Sequence, residues 1–276
     1  MVHPSDPFSY ALFAKIDLRW IWFTIASFLA GVLNAVAAGG SFLSFPAILG
    51  MGVLPVQANA TNSVAIWPGQ LTALVGYRED LRRNLHTAWP LALAGILGGM
   101  GGAFLLLHTP QLTFLRLVPW FMVGAAALFA LSGPLTGWLA RRNLAEIEDA
   151  ASGKVHRPHR VALFAVCIVV YVYVGYFGAG AGFLMITTLS LFGYRNMHTI
   201  NTLKVVANVL ANGTACVIFI LNGKIVWAYC IAAMIAAAIG GYSSARFAKR
   251  VPQPVLRAVV VVLGLTIAGW FFWTNP

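Results

Sequence analysis

Every acidic residue of this chain (Asp6, Asp17, Glu79, Asp80, Glu146, Glu148 and Asp149) falls in a tail or loop, so no carboxylate lies within an apolar run. General acid–base or metal chemistry inside those runs has no side chains to use. There is no HExxH, no paired aspartate, and no ligand spacing among the histidines or Cys167, Cys216 and Cys230. Cation carriers and proton pumps usually place Asp or Glu at membrane depth, because a buried carboxylate offsets the cost of a bare cation. The polar groups within the apolar runs are neutral instead: Asn34, Ser41, Thr61, Asn62, Ser63, Gln70, Thr202, Asn208, Asn212 and Thr214. Hydroxyls and carboxamides suit an anion with several acceptor oxygens, above all beside exposed amides at helix N-termini. The same residue types also join membrane helices by hydrogen bonds, so each has a structural reading beside the functional one.

Two stretches offer such exposed backbone. Ala38-Gly39-Gly40-Ser41-Phe42-Leu43 returns as Ala179-Gly180-Ala181-Gly182-Phe183-Leu184. Each ends one long apolar run and opens a shorter one, and clustered glycines are poor helix formers. Gly-interrupted hydrophobic segments in matching positions of two halves are the best sequence pointer to a transporter's binding site. Either the glycines make tight surface turns, or they form the tips of helical hairpins that dip into the membrane. Irregular backbone at depth is tolerated only where protein buries it or it lines a cavity. Gly98, Gly99, Gly101, Gly102, Gly240 and Gly241 lie mid-span, where small residues favour close helix packing.

The elements that must position these groups are membrane helices. Of 276 residues 60% are hydrophobic and 9% charged, against about a quarter charged in a soluble domain. The net charge of +11 has no basic soluble domain to serve, which sets nucleic acid aside as a partner; it fits basic loops flanking membrane spans. Residues 1–19 form a mixed polar tail without signal-peptide layout. Residues 20–140 read as one membrane repeat, 141–160 as a hydrophilic cytoplasmic loop, and 161–276 as a second repeat. An offset of 141 pairs Gly39 with Gly180, Gly52 with Gly193 and Thr61 with Thr202; one residue later, Gly98-Gly99 pairs with Gly240-Gly241 and Pro110-Gln111 with Pro252-Gln253.

The expected fold is therefore an all-α polytopic membrane protein of two repeats with about five segments each, about ten in total, carrying Gly-broken helical hairpins. An odd number of spans per repeat inverts the second repeat relative to the first. With the central loop in the cytoplasm, only Lys15, Arg19, Arg116 and Lys224 lie outside, which leaves 14 of 18 basic residues inside. The basic loop at Arg78–Arg83 becomes cytoplasmic, and its repeat mate near Lys224 external and nearly bare. Lys204 sits one to two turns inside its span, either snorkelling to the interface or drawing anions inward.

Gly31-x-x-Asn34 with Ala38-Gly39-Gly40-Ser41-x-Leu43-x-x-Pro46, then Gly52-x-x-Pro55-x-x-Ala58 and Thr61-Asn62-Ser63, resembles the TauE/SafE family of sulfite and organosulfonate exporters. Gly178-x-Gly180-x-Gly182 through Gly193 and Thr202 is similar to that family's second copy. The resemblance runs from about Trp20 to Trp270. It implies a multi-pass protein of the bacterial inner membrane that exports a small sulfur-containing anion, such as sulfite, sulfoacetate or a related organosulfonate, by alternating access between the repeats. With no reactive constellation or ligand spacing in the chain, no enzyme activity, cofactor or metal is expected; the expected partners are the anion, the lipid bilayer and, as an open option, a second copy in a homodimer. The residues expected to bind the substrate, from the exposed amides and neutral donors read above, are Asn34, Gly39, Gly40, Ser41, Thr61, Asn62, Ser63, Gly180, Gly182, Thr202, Lys204 and Asn208. The second copy departs from the first, with Thr187 in place of Pro46 and Leu203-Lys204 in place of Asn62-Ser63, so the two half-sites are not chemically equivalent. A transporter or channel for another small anion or carboxylate metabolite is the alternative.

Overall fold

A computed structural model of the chain describes residues 7–37, 39–151, 160–194, 196–247 and 253–274. Eleven helices appear among them: α1 (Pro7–Ala37), α2 (Ser41–Gly50), α3 (Pro55–Gly76), α4 (Arg78–Arg83), α5 (Leu85–His108), α6 (Gln111–Ala151), α7 (Arg160–Tyr176), α8 (Ala181–Leu191), α9 (Met197–Leu221), α10 (Trp227–Phe247) and α11 (Gln253–Thr274). The boundaries follow local chemistry. Pro55 opens α3, where its missing N–H costs nothing. The Asn196 side chain caps α9 by accepting from the His198 amide at 2.9 Å and from that of Thr199 at 3.4 Å. Gly52 and Gly193, paired by the sequence offset, both turn the chain in the left-handed region, with φ 85° and 89°.

Five helical segments are long and apolar enough to cross a bilayer: Leu18–Ala35, Leu85–His108, Gln111–Leu131, Met197–Leu221 and Trp227–Ser244. Shorter apolar segments lie in α2, α7, α8 and α11. With its 22 residues α3 is long enough but is not one of the five. Its polar residues Asn59, Thr61 and Asn62 are buried at 1% exposure or less, so α3 keeps them inside protein rather than against lipid. Large apolar side chains such as Trp22, Leu29, Phe104, Ile235 and Trp270 face outward, as a lipid-solvated surface requires.

Two stretches read as loops from sequence are partly helical. Arg78–Arg83 forms α4, and α6 continues through Ala151 into the central hydrophilic segment. The N-terminal tail is likewise helical from Pro7. Ala38, Arg195, the basic residues Lys154, Arg157, Lys249 and Arg250, and Pro252 of the repeat pairing lie outside the described residues.

Packing between helices is reciprocal. The first helix, α1, lies along α10, and α7 lies along α5. Both pairs run in the same direction: Phe23 meets Tyr229 while Gly31 meets Ala237, and Gly98 meets Ile168 while Gly102 meets Val172. Close approach explains the mid-span glycines. A Cβ at Gly240 would strike the Phe28 carbonyl, and one at Gly102 the Val172 carbonyl. By contrast, α3 and α9 cross antiparallel, with Asp80 near His198 at one end and Trp67 against Gly213 further along. At the centre, Phe45 of α2 packs its ring against Phe114, Phe177 and Phe271.

Candidate functional site

The helix breaks at the two glycine stretches differ in how they are made. Gly39 and Gly40 are buried, and Gly40 keeps right-handed dihedrals (φ −59°, ψ −36°). Its role is contact. A Cβ there would meet the Ala30 carbonyl and, at 2.9 Å, the Cβ of Asn34, so glycine lets α2 fold back onto α1 beside Asn34. Gly178 and Gly180, by contrast, take φ of 79° and 75°, which L side chains avoid. The Tyr173 hydroxyl closes this second break by donating to the Ala179 carbonyl at 2.7 Å. Ser41 and Gly182, half-buried, stand in the first turns of α2 and α8.

Polar residues of α3 reach outward to three neighbours. Asn59 Nδ2 donates to the Tyr176 carbonyl at the end of α7, at 2.9 Å. Thr61 Oγ1 accepts from the Val226 amide in the α9–α10 turn, at 3.1 Å. Asn62 Oδ1 accepts from Ser44 Oγ of α2, whose hydroxyl also lies 3.2 Å from the Gly40 carbonyl. Ser63 bonds its own helix at the Asn59 carbonyl, 2.9 Å away. The first-half residues thus converge on one place: Asn34 and Gly40 touch, while Ser44 ties the helix that follows Gly40 to Asn62.

The second-half residues are arranged differently. Thr202 is fully buried and donates to the His198 carbonyl of its own helix at 2.9 Å, so it does not repeat the reach of Thr61. Lys204 is half-buried, its Nζ donating to Asn201 Oδ1 at 2.9 Å. Asn201, Lys204, Asn208 and Asn212 follow at spacings of three and four, which draws one polar stripe along α9. Asn212 donates to the Asn208 carbonyl at 3.0 Å, and its Oδ1 lies 3.9 Å from where a Cβ on Gly178 would stand. The stripe therefore runs from the Arg78–Arg83 end of the bundle to the second glycine break. The Asn208 Oδ1 is buried with no partner.

Ser44, Asn59, Tyr173, Thr187 and Asn201 join this polar framework without having been singled out as site residues. Asn59 and Asn62 at i and i+3 share a helix face, a spacing visible within the polar stretch 57–63. Nothing in local sequence marks Ser44 or Tyr173, whose partners lie across a tertiary contact or a turn. Among the described residues no group of three or more His, Cys, Asp or Glu could hold a metal ion.

Comparison with known proteins places this framework in context. The profile of the family described as Sulfite exporter TauE/SafE matches residues 23–271. A probable membrane transporter protein of Haemophilus influenzae is 26% identical over 268 residues, covering 93% of this chain and 98% of the relative. One from Sinorhizobium sp is 24% identical, covering 88% of each chain. The probable membrane transporter protein YfcA of Escherichia coli is 24% identical, covering 87% of this chain and 85% of the relative. No solved structure gives a significant match.

Proposed function

We propose that this chain, which belongs to the sulfite exporter TauE/SafE family and is a multi-pass bacterial membrane transporter, exports a small sulfur-containing anion across the inner membrane. Sulfite, sulfoacetate and related organosulfonates are the cargo class. The observation that carries this reading is the gathering of neutral hydrogen-bond donors at two breaks in apolar helices, with every carboxylate of the chain elsewhere.

In this reading residues 20–140 and 161–276 are inverted repeats, and substrate sits where they meet. The reciprocal packing of α1 on α10 and α7 on α5 supports it, as does the antiparallel crossing of α3 and α9. Exchange of the two halves maps each of these arrangements onto its counterpart. Asn34, Gly39, Gly40 and Ser41 form one wall, with Thr61, Asn62 and Ser63 behind it. Gly180, Gly182, Thr202, Lys204 and Asn208 form the other. The Arg78–Arg83 end faces the cytoplasm. Outward movement of one negative charge is driven by the membrane potential, worth about 2.3 kcal/mol per 100 mV. Alternating access follows if the two breaks open in turn.

The test is flux of labelled sulfite and sulfoacetate in proteoliposomes, beside a carboxylate of similar size, for the wild type and Asn34→Ala. Saturable sulfur-anion flux, reduced at least tenfold in the variant with helix content unchanged, is the expected result. Flux of the carboxylate alone would reassign the cargo, large unitary currents would replace the carrier by a channel, and no flux under any imposed gradient rejects the reading.

A further inference from the structure

Five side-chain oxygens among the described residues are buried without a hydrogen-bond partner: those of Ser27, Gln70 (Oε1), Tyr171, Thr187 and Asn208 (Oδ1). Two of them, Gln70 and Asn208, fall at one level of the bundle, and Thr187 lies about one turn of helix away. The antiparallel course of α3 along α9 is fixed where Trp67 Nε1 donates to the Val209 carbonyl at 3.0 Å and, beyond its end, where Asp80 Oδ2 of α4 lies 3.8 Å from His198 Nδ1. Stepping between those contacts sets Gln70 level with Asn208. Along the same helix, α8 returns antiparallel to α9, with Gly178 beside Asn212 and the turn at 192–194 closing its end. The same stepping sets Thr187 level with Lys204, one turn of α9 from Asn208.

A buried polar atom left unpaired is destabilising. Three within about one helical turn of a membrane protein are a destabilising arrangement unless something else pairs them. The groups share a chemistry. Each carboxamide can be turned about its last bond to present NH2 in place of oxygen, since the two orientations fill the same space. Thr187 supplies a hydroxyl that donates as readily. Lys204 adds an ammonium whose Nζ has Asn201 as its hydrogen-bond partner, with two donors to spare. Two amides, a hydroxyl and one cation, without any carboxylate, match an oxyanion.

We propose that Gln70, Thr187, Asn208 and Lys204 form a second oxyanion layer on the path between the Arg78–Arg83 end and the glycine breaks, where the transported anion first sheds water. This layer rests on the transport reading above and deepens it, adding Gln70 and Thr187 to the residues that meet the anion. It lies on α3, α8 and α9, shares Lys204 and Asn208 with the wall opposite Asn34–Ser41, and extends that wall toward the Arg78–Arg83 end. Because only one lysine contributes, the layer binds loosely enough to release its anion inward to the breaks.

Shape-conserving variants test it. Thr187→Val, Gln70→Met and Asn208→Leu each remove one donor, and the readouts are thermal unfolding of purified protein with and without sulfite or sulfoacetate, and flux from the cytoplasmic face of proteoliposomes. Binding to the folded state raises the unfolding temperature in step with occupancy. Each variant is expected to need about tenfold more anion for the same stabilisation and flux, the equivalent of about 1.4 kcal/mol. Without anion each is expected to unfold at the wild-type temperature or above, because an unpaired polar atom has gone. If the anion stabilises and crosses in all proteins alike, the layer is rejected and transport stands. Lower anion-free stability in all three, with unchanged anion affinity, assigns the groups to internal hydrogen bonding and also rejects the layer. A wild type that neither binds nor moves a sulfur anion overturns the cargo and this layer together. Should Asn208→Leu fail to fold, Thr187→Val, the smallest change, decides.

Discussion

Asn59 gives the sharpest test of how the second glycine break is held. Its side chain is 1% exposed, and Nδ2 donates to the Tyr176 carbonyl at 2.9 Å, at the last residue of α7. A carbonyl in the last turn of a helix has no intrahelical donor, so Asn59 is its supply. Replacing Asn59 by Leu removes an interhelical hydrogen bond, worth about 0.6 kcal/mol on average and about 1.7 at most within a membrane protein. It also leaves the Tyr176 carbonyl unpaired, which brings the expected loss to about 2 kcal/mol. Asn62→Leu is the control. It removes the acceptor of Ser44, but the Ser44 hydroxyl still has the Gly40 carbonyl at 3.2 Å, so no donor is stranded and the loss stays below about 1 kcal/mol. Reversible unfolding in mixed micelles, followed by helix content, measures both. Equal losses, or a larger loss for Asn62→Leu, would refute the view that the carbonyl of Tyr176 depends on Asn59.

Other substitutions probe single features of the same framework. Gly180→Ala is expected to lower stability by about 1–2 kcal/mol from backbone strain at φ 75°, because the added Cβ meets Ala125 only at an ordinary 3.4 Å; thermal unfolding reads it. Gly240→Ala drives a Cβ into the Phe28 carbonyl and is expected to cost about 1–3 kcal/mol, whereas Gly124→Ala, with nothing within 4 Å, gains about 0.5–1 kcal/mol from helix propensity; the two should move the melting temperature in opposite directions. Asp80→Asn, which breaks an exposed contact to a His198 side chain that is 81% exposed, should change stability by less than about 1 kcal/mol in the same assay.

Sequence reading reaches the helix breaks, the close-packing glycines and the all-helical membrane class because each rests on local composition. Glycines that interrupt apolar runs stay visible whatever packs around them. The reading loses the partners. Thr61 and Thr202 occupy equivalent positions at an offset of 141, yet Thr61 accepts from Val226 across the bundle while Thr202 bonds back to His198 on its own helix. A threonine in a membrane helix has both options open, and only tertiary context chooses. Asn59 and Ser44 were missed for the same reason. Arg78–Arg83 and Arg141–Ala151 looked like loops because they are charged, but Arg, Leu, Ala and Glu are good helix formers, and the adjoining helices supply the nucleus.

The asymmetry of the hydrogen bonds bears on how such a carrier could move. Four side chains of α3 reach other elements: Asn59 to α7, Thr61 to the α9–α10 turn, Asn62 to α2 and Trp67 to α9. Shifting α3 alone would strand buried donors and acceptors at each of these, at about 1–3 kcal/mol apiece. Thr202, Asn212 and Thr214 of α9, in contrast, bond to carbonyls of α9 itself, and Lys204 to Asn201 one turn away, so these bonds travel with the helix. Trp67 and Thr61 nevertheless couple α9 to α3. A frame of α3 and α9 follows, and on the alternating-access reading proposed above the freedom to move lies in what packs on it. The short helix α8 fits that role. It is entered through two left-handed glycines, its Thr187 hydroxyl has no partner, and the side-chain bond at its tip runs from Tyr173 to Ala179. Its counterpart α2 instead enters through right-handed Gly40, packed against α1, and is tied to α3 through Ser44. Two breaks that look alike in sequence are thus held differently, the first packed on α1 and tied to α3, the second entered through left-handed glycines.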